Sequence, residues 1–296
     1  MIIENEDDVT KAVLHAMAGD KDQRRREVAQ AFVRHIHAFL REVKLTEKEY
    51  EKGLEILNSI GTYTNDSHNE AVLFCDALGI STLICLMNNG RSGATETAAA
   101  LLGPFWRMQS PITPSGGSIV RSPTPGEALF ADLHVVDKHG KPLEGVEVDV
   151  WHSSPVGLYE NQDPNQAEMN LRGKFFTDAN GHFSFRSTKP AGYPIPVDTA
   201  TGDMLRAQHR HPYRPAHLHF LLYKKGYKTL VTQIFVDDDQ YLDSDVVFGV
   251  TRALVGDYKK HSDNPPAPDV SGPWYKLDYR FMMEEGEASL PQPPIK

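Results

Sequence analysis

The residues of this chain best suited to chemistry crowd into one stretch, QHRHPYRPAHLHF, where His209, His211, His217 and His219 fall between Gln208 and Phe220. Side chains two apart on a strand point to the same face, so His217 and His219 can present two imidazoles side by side. Neutral imidazole suits zinc, copper, nickel and iron alike. The chain holds 13 histidines, so such a pair also arises by chance and reads either as part of a metal site or as two structural residues. His209 and His211 flank Arg210 ahead of Pro212, where a loop is expected, and read as solvated or hydrogen-bonding residues.

Few donors could complete a shell around the pair. A structural zinc site wants cysteines at short spacing. Cys75 and Cys85 lie elsewhere, in FCDALGISTLIC, and read as buried thiols rather than ligands or a disulfide. A carboxylate close to the histidines is another solution, but RPAHLHFLLYKKGY offers none. Two tyrosines in turn-rich segments precede it: Tyr159 in VGLYENQ and Tyr193 in PAGYPIP. A phenol titrates near about 10, so only a strongly Lewis-acidic cation ionises it at neutral pH. Ferric iron does so; zinc and ferrous iron do so poorly. Two phenolates with one hydroxide would balance a trivalent charge. Taken singly, each tyrosine reads first as a core or turn residue with a bonded hydroxyl.

The chain that must position these groups has 296 residues, room for one large domain or two ordinary ones. Its net charge of −9 argues against nucleic-acid binding, which wants a basic face. The densest basic run, KDQRRRE (Lys21 to Glu27), reads as a solvated helix face. The N-terminal MIIENEDD lacks an apolar signal core, and the apolar stretch from Leu78 to Met87 is too short to span a bilayer. A cytoplasmic protein without membrane insertion is expected.

Up to about residue 105 the period is helical. Val28, Phe32, Ile36, Phe39, Leu40 and Val43 recur at mostly three- and four-residue steps. TEKE (Thr46 to Glu49) reads as a capping box opening a second helix, stopped by Gly61, and SHNE (Ser67 to Glu70) as another. The run AVLFCDALGISTLICLMNNG that follows is apolar nearly all round and predicts one buried helix, with Asp76 the exception that needs a partner or a cleft. From about Pro111 short alternating runs take over. ALFADLHVVD and GVEVDVWHSS flank a turn. KFFTDANGHFSFRS carries the hairpin signal Asn180-Gly181, and KKGY joins AHLHFLLY to KTLVTQIFV. The spacing predicts an α+β chain: a helical domain over 1–110, then an antiparallel β-sandwich over 111–296, with the Pro-rich tail from Asn264 wrapping the surface.

Taken together, LLGPFWR, GLYE, KPAGYPIP, RHPYRPAHLHF, TLVTQIF and YLDSDVVFGV, in that order, resemble the intradiol ring-cleavage dioxygenases, from the helical region to about Val255. Within that family the match is closest to the hydroxyquinol 1,2-dioxygenase branch. The resemblance implies one non-haem Fe(III) per chain, held by Tyr159, Tyr193, His217 and His219, with Tyr193 the ligand displaced by substrate. It puts the family's active-site arginine at Arg214 and its pocket glutamine at Gln233. It maps the substrate pocket to Leu73, Asp76, Leu101, Gly103, Pro104, Phe105, Ile195, Pro196 and Val247. Asp76 would accept a hydrogen bond from a third ring hydroxyl, or serve instead in a salt bridge at a helix end. The implied substrates are O2 and a small aromatic diol or triol. The N-terminal helices would form a homodimer, sometimes with a lipid between protomers. One departure is VDTATGDML after YPIP, where the family commonly continues with Gly-Pro; it bears on substrate preference. Three readings stay open beside this one: a catechol or chlorocatechol 1,2-dioxygenase, a transthyretin-like binding module, and a zinc-dependent hydrolase using the same His pair.

Overall fold

A computed structural model describes residues 2–89 and 97–295. The chain divides into two compact units, Met1–Asn58 and Ser59–Lys296, so the boundary expected near residue 110 falls inside the second unit. Five helices come first: α1 (Glu6–Ala16), α2 (Gln23–Val43), α3 (Glu47–Tyr63), α4 (Glu70–Ala77) and α5 (Ile80–Asn89). Asn5 caps α1 and Asp22 caps α2 through their side chains. The capping box at Thr46 forms: Glu49 N–H donates to the Thr46 hydroxyl and Thr46 N–H to the Glu49 carboxylate.

The next expectations need correcting. The cap of α4 is Asn69, not Ser67; Asn69 accepts from Val72 N–H, and Ser67 bonds Asn65 instead. The single buried helix is two, bent by 79° between Glu70–Ala77 and Ile80–Asn88. The break sits at Gly79, whose φ of +72° only glycine adopts without strain. The bend also turns α5 outward, leaving Leu83 at 60% and Met87 at 70% exposure. No single described helix is long and apolar enough to cross a membrane; only the bent α4–α5 pair reaches that length and composition together.

Eleven strands follow: β1 (Ala128–Asp137), β2 (Glu147–Trp151), β3 (Arg172–Phe176), β4 (His182–Thr188), β5 (Tyr193–Pro194), β6 (Tyr213–Arg214), β7 (His217–Tyr223), β8 (Leu230–Val236), β9 (Val255–Gly256), β10 (Tyr258–His261) and β11 (Trp274–Met283). A short helix, α6 (Ala200–Ala207), lies between β5 and β6. One sheet runs β10-β11-β1-β4, a second β3-β2-β7-β8-β9, and β5 pairs with β6 alone. The two large sheets share one core: Leu129, Leu133, Phe183, Phe185, Leu277 and Phe281 from the first meet Val148, Val150, Leu218, Phe220, Leu222 and Ile234 from the second.

The class is α+β, but the sheets are mixed rather than antiparallel, because β1 pairs with β11 and β8 with β9 in parallel. The Asn180-Gly181 turn forms, yet β3 and β4 on either side of it belong to different sheets, as do β1 and β2. A tight turn reverses the chain without dictating which sheet takes the next strand. Only β7 and β8 make the expected hairpin, closing at Leu222↔Leu230. The tail is more than a wrap. Its WYKLDYRFMM is β11, paired between β10 and β1, and Ile295 is buried.

Candidate metal centre

Both faces of β7 are buried. Leu218, Phe220 and Leu222 point into the shared core, so His217 and His219 project from the opposite face, as the two-residue period requires. Tyr193 is on β5, directly across from Arg214 on β6. Tyr159 lies in a turn whose backbone N–H donates to Gln162 Oε1 at 3.0 Å. That turn approaches β5 at Gly157, where an added Cβ would stand 3.0 Å from the Tyr193 Cβ at a φ of +84°. Glycine there lets the two tyrosines converge.

They converge on the histidines. The two phenol oxygens are 3.3 Å apart and the two Nε2 atoms 3.1 Å apart. The Tyr193 and His217 ring centroids are separated by 5.7 Å, those of Tyr159 and His219 by 6.5 Å. All four side chains are buried. Burial, and after it the neighbouring phenol, holds the Tyr159 hydroxyl well above its ordinary value. Burial raises Tyr193 too, against the pull of Arg214. Burial pushes both imidazoles well below theirs, helped next by Arg214 at His217 and by the neighbouring His217 ring at His219, so both are neutral near pH 7.

His217 Nδ1 lies 2.7 Å from the Pro215 carbonyl; a carbonyl only accepts, so Nδ1 carries the hydrogen and Nε2 a lone pair. His219 Nδ1 has no partner among the described residues. With the His219 hydrogen on Nδ1, the two Nε2 lone pairs face each other at 3.1 Å, an opposition that a cation between them would relieve. Spacings of 3.1 and 3.3 Å suit neighbouring donors about 2 Å from one shared cation. Among the described residues no cluster of three or more His, Cys, Asp or Glu could hold a metal; the two phenols beside the histidines are the donors that would join them. The donor set therefore fits a hard, highly charged ion.

Arg214 borders the four. It donates from Nη1 to His217 Nε2 at 3.2 Å, from Nη2 to Gln233 Oε1 at 3.0 Å, and to both oxygens of Asp245 at 3.1 Å. Burial opposes its charge, but Asp245 and the phenols outweigh burial, and the guanidinium stays above the ordinary arginine value. Gln233 Nε2 donates to the Leu101 carbonyl at 2.6 Å. Leu73, Leu101, Ile195 and Val247 form one apolar cluster with Leu205 and Val246. Phe105 packs against the Tyr159 ring with centroids 4.6 Å apart, and Gly103 faces the His219 edge. Pro104 and Pro196 are half-buried beside these. Asp76 is buried on α4, within electrostatic reach of Arg214 and Asp245, and burial pushes its carboxyl up to about 6. His209 and His211 stand apart, lining an open cleft of about 520 Å³ with Arg210 and Phe248.

Sequence reasoning missed Asp245, the anion that fixes Arg214, although it sits inside YLDSDVVFGV. It also missed Trp151, stacked on His219, and the buried Arg172–Glu160 pair (2.7 Å) whose guanidinium lies 5.8 Å from the Tyr159 ring centre. None of these left a local signal in the sequence that singles it out.

Comparison with known proteins gives the family. The family described as Dioxygenase matches residues 102–283, and that described as Catechol dioxygenase N terminus matches 22–96. The chain belongs to the intradiol ring-cleavage dioxygenases. It is therefore an oxidoreductase of the kind that puts both atoms of O2 into its substrate. It is 37% identical to a hydroxyquinol 1,2-dioxygenase of a Rhizobium species, over 92% of this chain and 93% of the relative. It is equally 37% identical to a catechol 1,2-dioxygenase of Candida albicans, over 91% and 89%. The solved hydroxyquinol 1,2-dioxygenase of Pseudomonas putida superposes with a TM-score of 0.87 at 35% identity, covering 95% of this chain and 99% of that one.

Proposed function

We propose that this dioxygenase cleaves hydroxyquinol (1,2,4-trihydroxybenzene) between its adjacent hydroxyls, at one Fe(III) per chain held by Tyr159, Tyr193, His217 and His219. Convergence of two phenols and two neutral imidazoles on a common point is the observation that carries the reading. Bound ferric iron would supply the Lewis acidity that ionises phenols and a chelating diol and makes the ring carbon attackable by dioxygen.

The chain's own residues would divide the remaining work. Tyr193 would help to hold the ion and would be the phenol that takes up a proton from the substrate, with Arg214 across from it on β6. Tyr159 remains, packed between Phe105 and the Arg172 guanidinium. Arg214, fixed by Asp245 and Gln233, stabilises negative charge building on the ring, a preoriented role that costs no reorganisation. Leu73, Leu101, Ile195, Pro196 and Val247, with Gly103, Pro104 and Phe105, wall the ring and exclude water. Asp76, the acid among these apolar groups, accepts a hydrogen bond from the third hydroxyl. The apolar faces of α2 and α3 make a homodimer, with room for a lipid between protomers.

Oxygen uptake on equal concentrations of hydroxyquinol and catechol tests the substrate, with product identified as 3-hydroxymuconate or its tautomer maleylacetate. A kcat/KM at least ten-fold higher on hydroxyquinol supports the proposal. Preference for catechol, which the equally identical Candida relative is named for, or for a chlorocatechol would replace hydroxyquinol without disturbing the metal site.

A further inference from the structure

Four buried side chains stand in one register across the five-stranded sheet. Arg172 on β3 pairs with Trp151 on β2, Trp151 with His219 on β7, and His219 with Gln233 on β8. Lateral neighbours on one face are how a sheet fixes side chains to each other. Within this row the indole of Trp151 lies flat on the imidazole of His219, with centroids 4.7 Å apart and planes 8° from parallel.

The two histidines are held by different means. His217 is anchored through Nδ1 to the Pro215 carbonyl, the kind of contact that ordinarily orients a metal-binding imidazole. His219 has no such contact, because its Nδ1 finds no partner among the described residues. Apart from the His217 Nε2, 3.1 Å from its own, nothing polar among the described residues sets the angle of its ring. Trp151 covers one face instead, and Gly103 closes on the edge, where an added Cβ would come within 3.3 Å of Cε1. Trp151 is itself fixed by packing: it is buried among Phe105, Trp106, Tyr159, Tyr193 and Leu221, and its Nε1 has no partner among the described residues. A tryptophan kept dry with its N–H unused contributes through its ring.

We propose that Trp151 is the positioning residue for His219, setting the plane of that imidazole and steadying the positive charge it gains when Nε2 binds a cation. The proposal rests on reading His219 as an iron ligand. An imidazole that donates its lone pair becomes electron-poor, and the electron-rich face of an indole attracts such a ring more strongly than the neutral one. The stack thus serves for His219 the purpose the carbonyl serves for His217.

Iron-loaded wild type, Trp151→Phe and Trp151→Met are compared by the rate of iron loss to a chelator and by the visible tyrosinate-to-iron band. Phenylalanine keeps a smaller aromatic face; methionine fills space without one. Iron loss about ten-fold faster for Trp151→Met, the lower end of what removing an outer-shell partner costs, and about three-fold faster for Trp151→Phe, which keeps part of the aromatic face, with a shifted band in both, is the expected result. Equal loss rates and unchanged bands in both variants would overturn the proposal. Should Trp151→Met not fold, Trp151→Phe alone decides, and an unchanged rate and band there overturn it equally. A wild-type chain that binds iron without any such band would overturn this proposal together with the ligand assignment, whereas a preserved wild-type band with indifferent variants overturns this proposal alone.

Discussion

Arg214 meets four groups at once, Asp245, Gln233, His217 and, across the strands, Tyr193, so its substitution separates electrostatics from metal binding. Arg214→Lys keeps a cation but loses the planar fork; kcat should fall about 100-fold, while the visible spectrum of the resting protein stays near that of the wild type. Stopped-flow turnover and absorption on the same sample check this. Asp76 makes a second residue-scale claim. Its folded-state value is raised to about 6 from 3.8, so the folded protein resists ionising it. The stability it allows is present below about pH 4 and lost as pH rises through about 6. Asp76→Asn, which cannot ionise, should therefore gain roughly 2–3 kcal/mol over the wild type between about pH 4 and pH 7, measured by urea unfolding at each pH. The same titration acts on selectivity. Preference for hydroxyquinol over catechol should rise through pH 6 in the wild type and be flat and lower in Asp76→Leu, by competing-substrate kinetics.

The helix that carries Leu73 and Asp76 is tied to the rest of its unit by a buried carboxylate. Glu70, at the start of α4, accepts from the backbone N–H and hydroxyl of Thr201 on α6, both at 2.7 Å, and meets His68 Nε2 at 2.7 Å. Glu70→Ala leaves those donors unpaired and should cost about 2–4 kcal/mol of stability. KM for hydroxyquinol should rise more than kcat falls, because α4 supplies pocket walls and not the reacting groups. This scale is also where sequence and structure part. His217 and His219 were legible because alternation on a strand is a local rule, and the Thr46 cap because its partners are three residues apart. Asp245, Trp151 and Arg172 were not, since each acts on a residue distant in sequence, Trp151 through strand register and the other two through ion pairs between separate segments. Two of the expected strand pairings failed because their partners are also chosen at a distance: Asn180-Gly181 encodes a reversal, whereas the choice of sheet depends on which apolar faces must meet in the shared core. The break at Gly79 was hidden inside an apolar run that satisfies a helix on either side.

In the N-terminal unit, the stripe read from the sequence of α2 faces solvent, with Phe32 64% exposed, and Leu57 on α3 is 64% exposed as well. Isolated apolar side chains are ordinary on a surface, but a continuous helical stripe calls for a cover. Light scattering should find a dimer at micromolar concentration, and Phe32→Glu with Leu57→Glu should give a monomer that still binds iron. For the molecule as a whole the decisive claim is simpler: two ionised phenols and two imidazoles share one trivalent ion. The visible spectrum of the purified protein, read beside its iron content, tests it most directly. One iron per chain with a broad, wine-red tyrosinate band that Tyr159→Phe bleaches or shifts is what the site predicts. A colourless protein, fully loaded with iron and turning over, would contradict it.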